Sequence, residues 1–101
     1  ERKASMYERS DAFIAHPGGI GTLEELFEAL TWLQLGYHTK PIGLLNTNGF
    51  YDPLISMLVH MVSRGFLRQI VFDALVVESD PANLLDRLQL VELQMPLKVS
   101  R

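Results

Sequence analysis

The chain has 101 residues, 48% hydrophobic and 21% charged, which is enough for one small globular domain and unlike a disordered segment. Nine Lys and Arg against twelve Asp and Glu give a formal net charge of −3, so no basic excess exists to neutralise a nucleic-acid backbone. Cysteine is absent, which excludes a disulfide framework, a zinc ribbon and a thiol nucleophile. With no signal peptide and no apolar run near the ~18 residues that span a bilayer, a cytoplasmic protein is expected.

The chain opens at Glu1, without a methionine and without a helix cap ahead of Arg2. Residues 2–9 read as the end of a helix with Ala4, Met6 and Tyr7 as its less polar positions, so a piece of a longer protein is expected. Ala12-Phe13-Ile14-Ala15 is a short continuous apolar run, the pattern of a strand buried on both faces, and Pro17 stops it. The turn Pro17-Gly18-Gly19-Ile20-Gly21-Thr22 follows. Leu23, Leu26, Phe27, Leu30 and Leu33 then recur at helical spacing, and Gly36 stands where a helix-ending glycine belongs.

Pro41 to Leu45 reads as a second buried strand, ending in the polar loop Asn46-Thr47-Asn48-Gly49. Tyr51, Leu54, Ile55, Leu58, Val59 and Val62 share one face of the next helix. Asp52 is the expected N-cap, with Pro53 at the first helical position, and Gly65 is the stop. Ala74-Leu75-Val76-Val77 is a third buried strand, and Ser79-Asp80-Pro81 opens a last helix carrying Leu84, Leu85 and Leu88. Residues 1–93 read as one partial domain and 94–101 as a loose tail. Alternating buried strands and amphipathic helices predict an α/β fold, a parallel sheet with helices on both faces. Three strands fit the C-terminal half of a doubly wound fold better than a whole one.

In such folds ligands sit at the carboxyl ends of strands, and the glycine turn leaves the first strand at that end. Glycine permits a positive φ and a close approach of ligand to the main chain, and the free N–H groups at a helix start favour an anion. Glu24 and Glu25 follow, placed by the pattern in the first helical turn. A Walker A loop is excluded because no lysine precedes Thr22, and a dinucleotide fingerprint because Glu24 stands where its third glycine would fall. A loop for one phosphate remains. Thr22-x-x-Glu25 also has the spacing of a capping box, and the residues alone leave both readings open.

The full string Pro17-Gly18-Gly19-x-Gly21-Thr22-x-x-Glu25, preceded by Arg2-Lys3, closely resembles the LOG (Lonely Guy) family of cytokinin riboside 5′-monophosphate phosphoribohydrolases, also labelled lysine decarboxylase-like. The likeness continues through Thr31-Trp32-x-Gln34-Leu35-Gly36, Lys40-Pro41-Ile42-Gly43-Leu44-Leu45-Asn46, Gly49-Phe50-Tyr51 and Gly65-Phe66, covering roughly residues 1–80. It implies a Rossmann-like fold, usually a homodimer, that hydrolyses the N-glycosidic bond of a nucleoside 5′-monophosphate to free base and ribose 5-phosphate. By the same likeness, Arg2 and Glu25 match the catalytic pair. Gly18, Gly19, Gly21 and Thr22 match the phosphate-binding turn, and Lys3 and Glu24 supporting positions. Family members carry an earlier strand and glycine-rich loop that this sequence lacks, and His16 replaces a usually apolar residue.

Cleaving a ribosyl bond builds positive charge on the sugar, as in glycosidases, so a nearby carboxylate can stabilise it, orient hydroxyls or activate water. Glu25 is the candidate. Arg2, permanently charged, is suited to electrostatic pairing and not to proton donation. No cofactor is expected: Lys3, Lys40 and Lys98 carry no surrounding mark of a pyridoxal phosphate site, and Tyr37, His38 and His60 lack metal-ligand spacing. The runner-up function is a truncated, non-catalytic nucleotide-binding or interaction module of the same fold.

Overall fold

The computed structural model describes residues 12–37 and 40–94. The expected helix over residues 2–9, the tail from residue 95, and with them Arg2, Lys3, His38 and Lys98, lie outside the described residues. The elements run β1 (Phe13–Ala15), α1 (Ile20–Gln34), β2 (Ile42–Leu45), a 3-10 turn (Thr47–Gly49), α2 (Asp52–Ser63), α3 (Gln69–Asp73), β3 (Leu75–Glu78) and α4 (Pro81–Gln94). The strands form one parallel sheet in the order β1-β2-β3. Phe13 pairs with Ile42, Ala15 with Leu44, Ile42 with Leu75 and Leu45 with Glu78. This is the α/β, Rossmann-like arrangement expected from the alternation of strands and helices.

Side chains alternate across a strand, so each strand feeds two layers. Phe13, Ala15, Ile42, Leu44, Leu75 and Val77 face the larger core, where they meet Leu26, Ala29 and Leu30 of α1 and Val71 of α3. Ile14, Leu45 and Val76 face the other way, against Leu84 and Leu88 of α4. Leu26, Ile42 and Leu44 are fully buried, and each contributes about 1.5–3 kcal/mol by leaving water. Gly43 lies between the two leucines of α4. A Cβ there would meet Leu88 Cδ1 at 3.0 Å and Leu84 Cδ1 at 3.1 Å, so the missing side chain lets α4 close onto the middle strand.

Helices α1 and α2 both end on glycine for the same reason. Gly36 (φ +86°) and Gly65 (φ +82°) sit in the left-handed region that favours glycine. The N–H groups of Gly36 and Tyr37 donate to Leu33 and Trp32, and those of Gly65 and Phe66 donate to Val62 and Met61, giving two Schellman closures. Arg68, which follows the end of α2 in sequence, reaches back to α1. Its guanidinium donates to the Gln34 carbonyl at 3.0 Å and so caps the last turn of α1. The last helix starts as read, with the Asp80 carboxylate accepting from Asn83 N–H at 3.0 Å.

Other expectations need correction. Strand β2 starts at Ile42 and β3 runs Leu75–Glu78, one residue later than the apolar run. Strand β1 is only half-buried at Phe13 and Ile14. Tyr51, not Asp52, caps α2, and Asp52 is its first helical residue. The Asp52 carboxylate is drawn to Asn46, whose amide donates to it at 2.9 Å. Helix α3 went unread because five residues leave no room for a helical period. Val59, Leu85 and Phe27 fit the apolar stripes by spacing, yet each is exposed, because the sheet covers a narrower arc than the stripe.

Candidate active site

The chain leaves β1 at Ala15 and turns through His16, Pro17, Gly18 and Gly19 into α1. All three strands end at this edge of the sheet, where parallel α/β folds bind ligands. Gly19 is the N-cap of α1 and supplies no side-chain acceptor. The N–H groups of a helix's first turn have no intrahelical partner, and an aligned helix dipole adds a partial positive charge there. The first closed helical bond runs from Leu23 N–H to the Gly19 carbonyl at 3.1 Å. The opening of α1 therefore presents main-chain donors without a covering side chain, an arrangement suited to a phosphate group.

This geometry excludes the capping-box reading of Thr22-x-x-Glu25. A capping box needs Thr22 at the N-cap, but Thr22 is the third residue of the helix. Its side chain instead packs back on the turn: a Cβ at Gly18 would lie 2.3 Å from Thr22 Oγ1, so the approach depends on glycine at 18. Because the helix begins at Ile20, Glu24 and Glu25 fall in its second turn, not in its first. Both are exposed. Gly21 and Glu25 are four residues apart and share a helix face, so the carboxylate of Glu25 stands one turn behind the donors.

The three motif glycines depart from a second expectation. None has a positive φ; in the described chain only Asn48, Gly36, Gly49 and Gly65 do. A Cβ at Gly19 or Gly21 would touch nothing within 4 Å. Among the described residues, neither a positive φ nor a packing contact calls for glycine at these two positions. The remaining physical use of a missing side chain is space in front of the main chain.

The floor of this edge is held by groups the sequence did not single out. Asn46 N–H donates to the Glu78 carbonyl at 2.8 Å, and Asn46 Oδ1 accepts from Tyr51 N–H at 2.6 Å. Tyr51, only 1% exposed, sends its hydroxyl to the His16 carbonyl. Burial pushes the Tyr51 pKa above its ordinary value of 10.0, so the hydroxyl remains a donor at neutral pH. The available signal was a tyrosine in an apolar stripe, since a buried phenol requires a partner for its polar tip. Trp32 is half-buried and meets Tyr37 edge-on at 5.4 Å. Among the described residues no group of three or more His, Cys, Asp or Glu is placed to hold a metal ion. No helix among them is long and apolar enough to cross a membrane.

A family model described as "possible lysine decarboxylase" matches residues 1–88. The chain is 49% identical over 89 residues to the probable cytokinin riboside 5′-monophosphate phosphoribohydrolase LOGL2 of Oryza sativa subsp. japonica, covering 88% of this chain and 36% of that protein. It is 61% identical over 69 residues to the cytokinin riboside 5′-monophosphate phosphoribohydrolase LOG of the same organism, covering 68% and 28%. It is also 55% identical over 78 residues to the cytokinin riboside 5′-monophosphate phosphoribohydrolase LOG4 of Arabidopsis thaliana, covering 73% and 36%. The chain thus spans about a third of the length of these relatives. The match runs through the strand, the glycine turn and the helix behind it, and the chain belongs to the family described as possible lysine decarboxylase, with its likeness to the LOG phosphoribohydrolases.

Proposed function

We propose that this chain carries the phosphate-binding turn and the catalytic glutamate of a phosphoribohydrolase acting on cytokinin riboside 5′-monophosphates, and on AMP as a simpler substrate. One observation carries the reading: among the described residues, neither a positive φ nor a packing contact requires glycine at 19 or 21, at a helix opening with no side-chain cap. The names of the relatives support the substrate class.

In this reading the first-turn N–H groups of α1 and the Thr22 hydroxyl hold the 5′-phosphate, with Glu24 and Lys3 in support. Anchoring the phosphate fixes the ribose over the second turn, where Glu25 stands. As the C1′–N bond breaks, its electron pair leaves with the base and positive charge spreads over C1′ and the ring oxygen. The Glu25 carboxylate stabilises that charge and orients the water that adds to C1′. The water's proton is lost as the new C1′–O bond forms, and the departing base takes up a proton. Arg2 supplies fixed positive charge toward the phosphate or the departing base. No cofactor takes part.

Residues 1–93 form the catalytic portion. A homodimer is the proposed assembly, supported by the exposed apolar side chains of Met57, Val59, Phe66 and Ile70. The cysteine-free composition suits a reducing compartment, and the cytoplasm is the proposed location.

The test is incubation of the chain with AMP and with an N6-substituted AMP, followed by chromatography for free base. Release of base at a rate proportional to protein supports the enzyme. Saturable binding with no release would replace it with a nucleotide-binding module of the same fold.

A further inference from the structure

The β1–β2 ladder ends where Ala15 pairs with Leu44. The next carbonyl, that of His16, precedes Pro17, which has no N–H, so the ladder cannot carry on into the glycine turn. Tyr51 takes over at this point. It stands at the N-cap of α2, in the same core as Ala15, and its hydroxyl donates to the His16 carbonyl. Its own backbone is fixed by Asn46 Oδ1 at 2.6 Å. The other end of the Asn46 amide is held by Asp52 Oδ1 at 2.9 Å, and its N–H is tied to Glu78 at the end of β3 at 2.8 Å.

These bonds form a brace across the carboxyl ends of all three strands. It starts at Glu78, crosses Asn46 and Tyr51, and stops two residues before Gly18. The loop between is shaped to let it close: Asn48 (φ +54°) and Gly49 (φ +71°) are both left-handed, and a Cβ at Gly49 would lie 2.7 Å from Asp52 Oδ2. A plain packing role for Tyr51 would use its ring. It would not require a hydroxyl aimed at the one carbonyl between the ladder and the turn.

We propose that Tyr51 is a positioning residue for the glycine turn: its hydroxyl, through the His16 carbonyl, sets the direction in which Gly18–Thr22 present their N–H groups. The consequence for ligand binding rests on the phosphate-site reading above, whereas the hold on the turn does not. Tyr51 acts through the turn and touches no reacting atom, so its loss is expected in substrate affinity and not in the chemical step.

The experiment compares the full wild-type chain with Tyr51→Phe, which keeps the ring and removes the hydroxyl. Leu88→Ala, on the α4 face of the sheet, serves as a control that destabilises from the opposite side. Backbone ¹⁵N order parameters of Gly18–Thr22 are read by NMR, and AMP is titrated and turned over in parallel. In Tyr51→Phe the order parameters of the turn are expected to fall while those of β2 do not. The KM for AMP is expected to rise about tenfold with kcat changed less than about twofold. Leu88→Ala should lower the melting temperature and leave KM in place. Turn order parameters and KM equal to wild type in Tyr51→Phe would overturn the proposal, as would an equal rise of KM in Leu88→Ala. If Tyr51→Phe does not fold, Asn46→Ala, which removes the acceptor for Tyr51 N–H, is read by the same two measurements. If wild type shows no affinity for AMP, the phosphate-site reading fails, and the order parameters of the turn alone still decide whether Tyr51 holds it.

Discussion

The two ends of α1 both carry glycine, and for opposite reasons. At the C-terminus Gly36 has φ +86° and closes a Schellman motif, so any other residue would be strained there. At the N-terminus Gly19 and Gly21 have negative φ and open space where a side chain would stand. The first glycine is demanded by the chain's own backbone. The other two are demanded by nothing inside the described chain, which points outward to whatever approaches the helix. Gly18 falls between these cases, because its missing Cβ makes room for the chain's own Thr22. Glycine in a motif thus has three separable physical meanings, distinguishable only by φ and by what a Cβ would meet.

The comparison can be broken most sharply at the residue behind the N-terminal turn. Glu25→Gln removes a charge from an exposed position, so thermal stability should stay within about 0.5 kcal/mol of wild type. Base release should nevertheless fall by about 10²–10⁴-fold, the range for a group that stabilises developing charge or activates water. A mutant that still turns over near the wild-type rate would remove Glu25 from the mechanism.

The paired substitutions Gly19→Ala and Gly36→Ala set the two ends directly against each other. The first should weaken AMP binding about tenfold or more, by putting a methyl group between ligand and main chain, with a melting curve close to wild type. The second should cost about 1–2 kcal/mol of stability through strain at positive φ and leave AMP affinity unchanged, as read by calorimetry and chemical denaturation. Interchanged outcomes would mean that the two glycines have been assigned the wrong way round.

Gly21→Ala is the smallest effect and the most diagnostic in sign. Replacing an unconstrained helical glycine with alanine should raise stability by about 0.5–1 kcal/mol. The same methyl group should weaken AMP binding. A gain in stability with undiminished affinity would show that the glycine serves no ligand.

Alkaline titration probes the other half of the site. Burial raises the Tyr51 pKa above 10.0, so the native state keeps its proton to higher pH than the unfolded chain. Its contribution to stability is therefore complete below about pH 10 and is lost as pH rises through the native value. Tyr51→Phe should flatten that alkaline loss in a stability curve recorded upward from about pH 9.

Much of this arrangement is legible along the chain because it depends on local rules. Apolar runs bounded by proline and glycine place all three strands to within a residue, and Asp80-Pro81 marks the start of α4. Gly36 and Gly65 are readable as stops, since a positive φ at a helix end is a property of a few neighbouring residues. The glycine turn is legible as a motif, together with its likeness to the phosphoribohydrolases. What stays hidden is the choice between capping box and open helix start. Thr22-x-x-Glu25 satisfies the spacing of the first, and only the onset of α1 at Ile20 rules it out.

The helix capped by Arg68, the Gly43 gap beneath α4 and the Tyr51 bond to His16 are equally invisible in sequence, because each joins residues more than thirty positions apart. The sequence by itself determined the order of the strands and long helices, the family, and the glycine motif whose residues are the site candidates. Only the tertiary structure decided which of those residues serve the fold and which are left facing outward. Local patterns set backbone conformation, but the space in front of a main-chain N–H depends on everything packed around it.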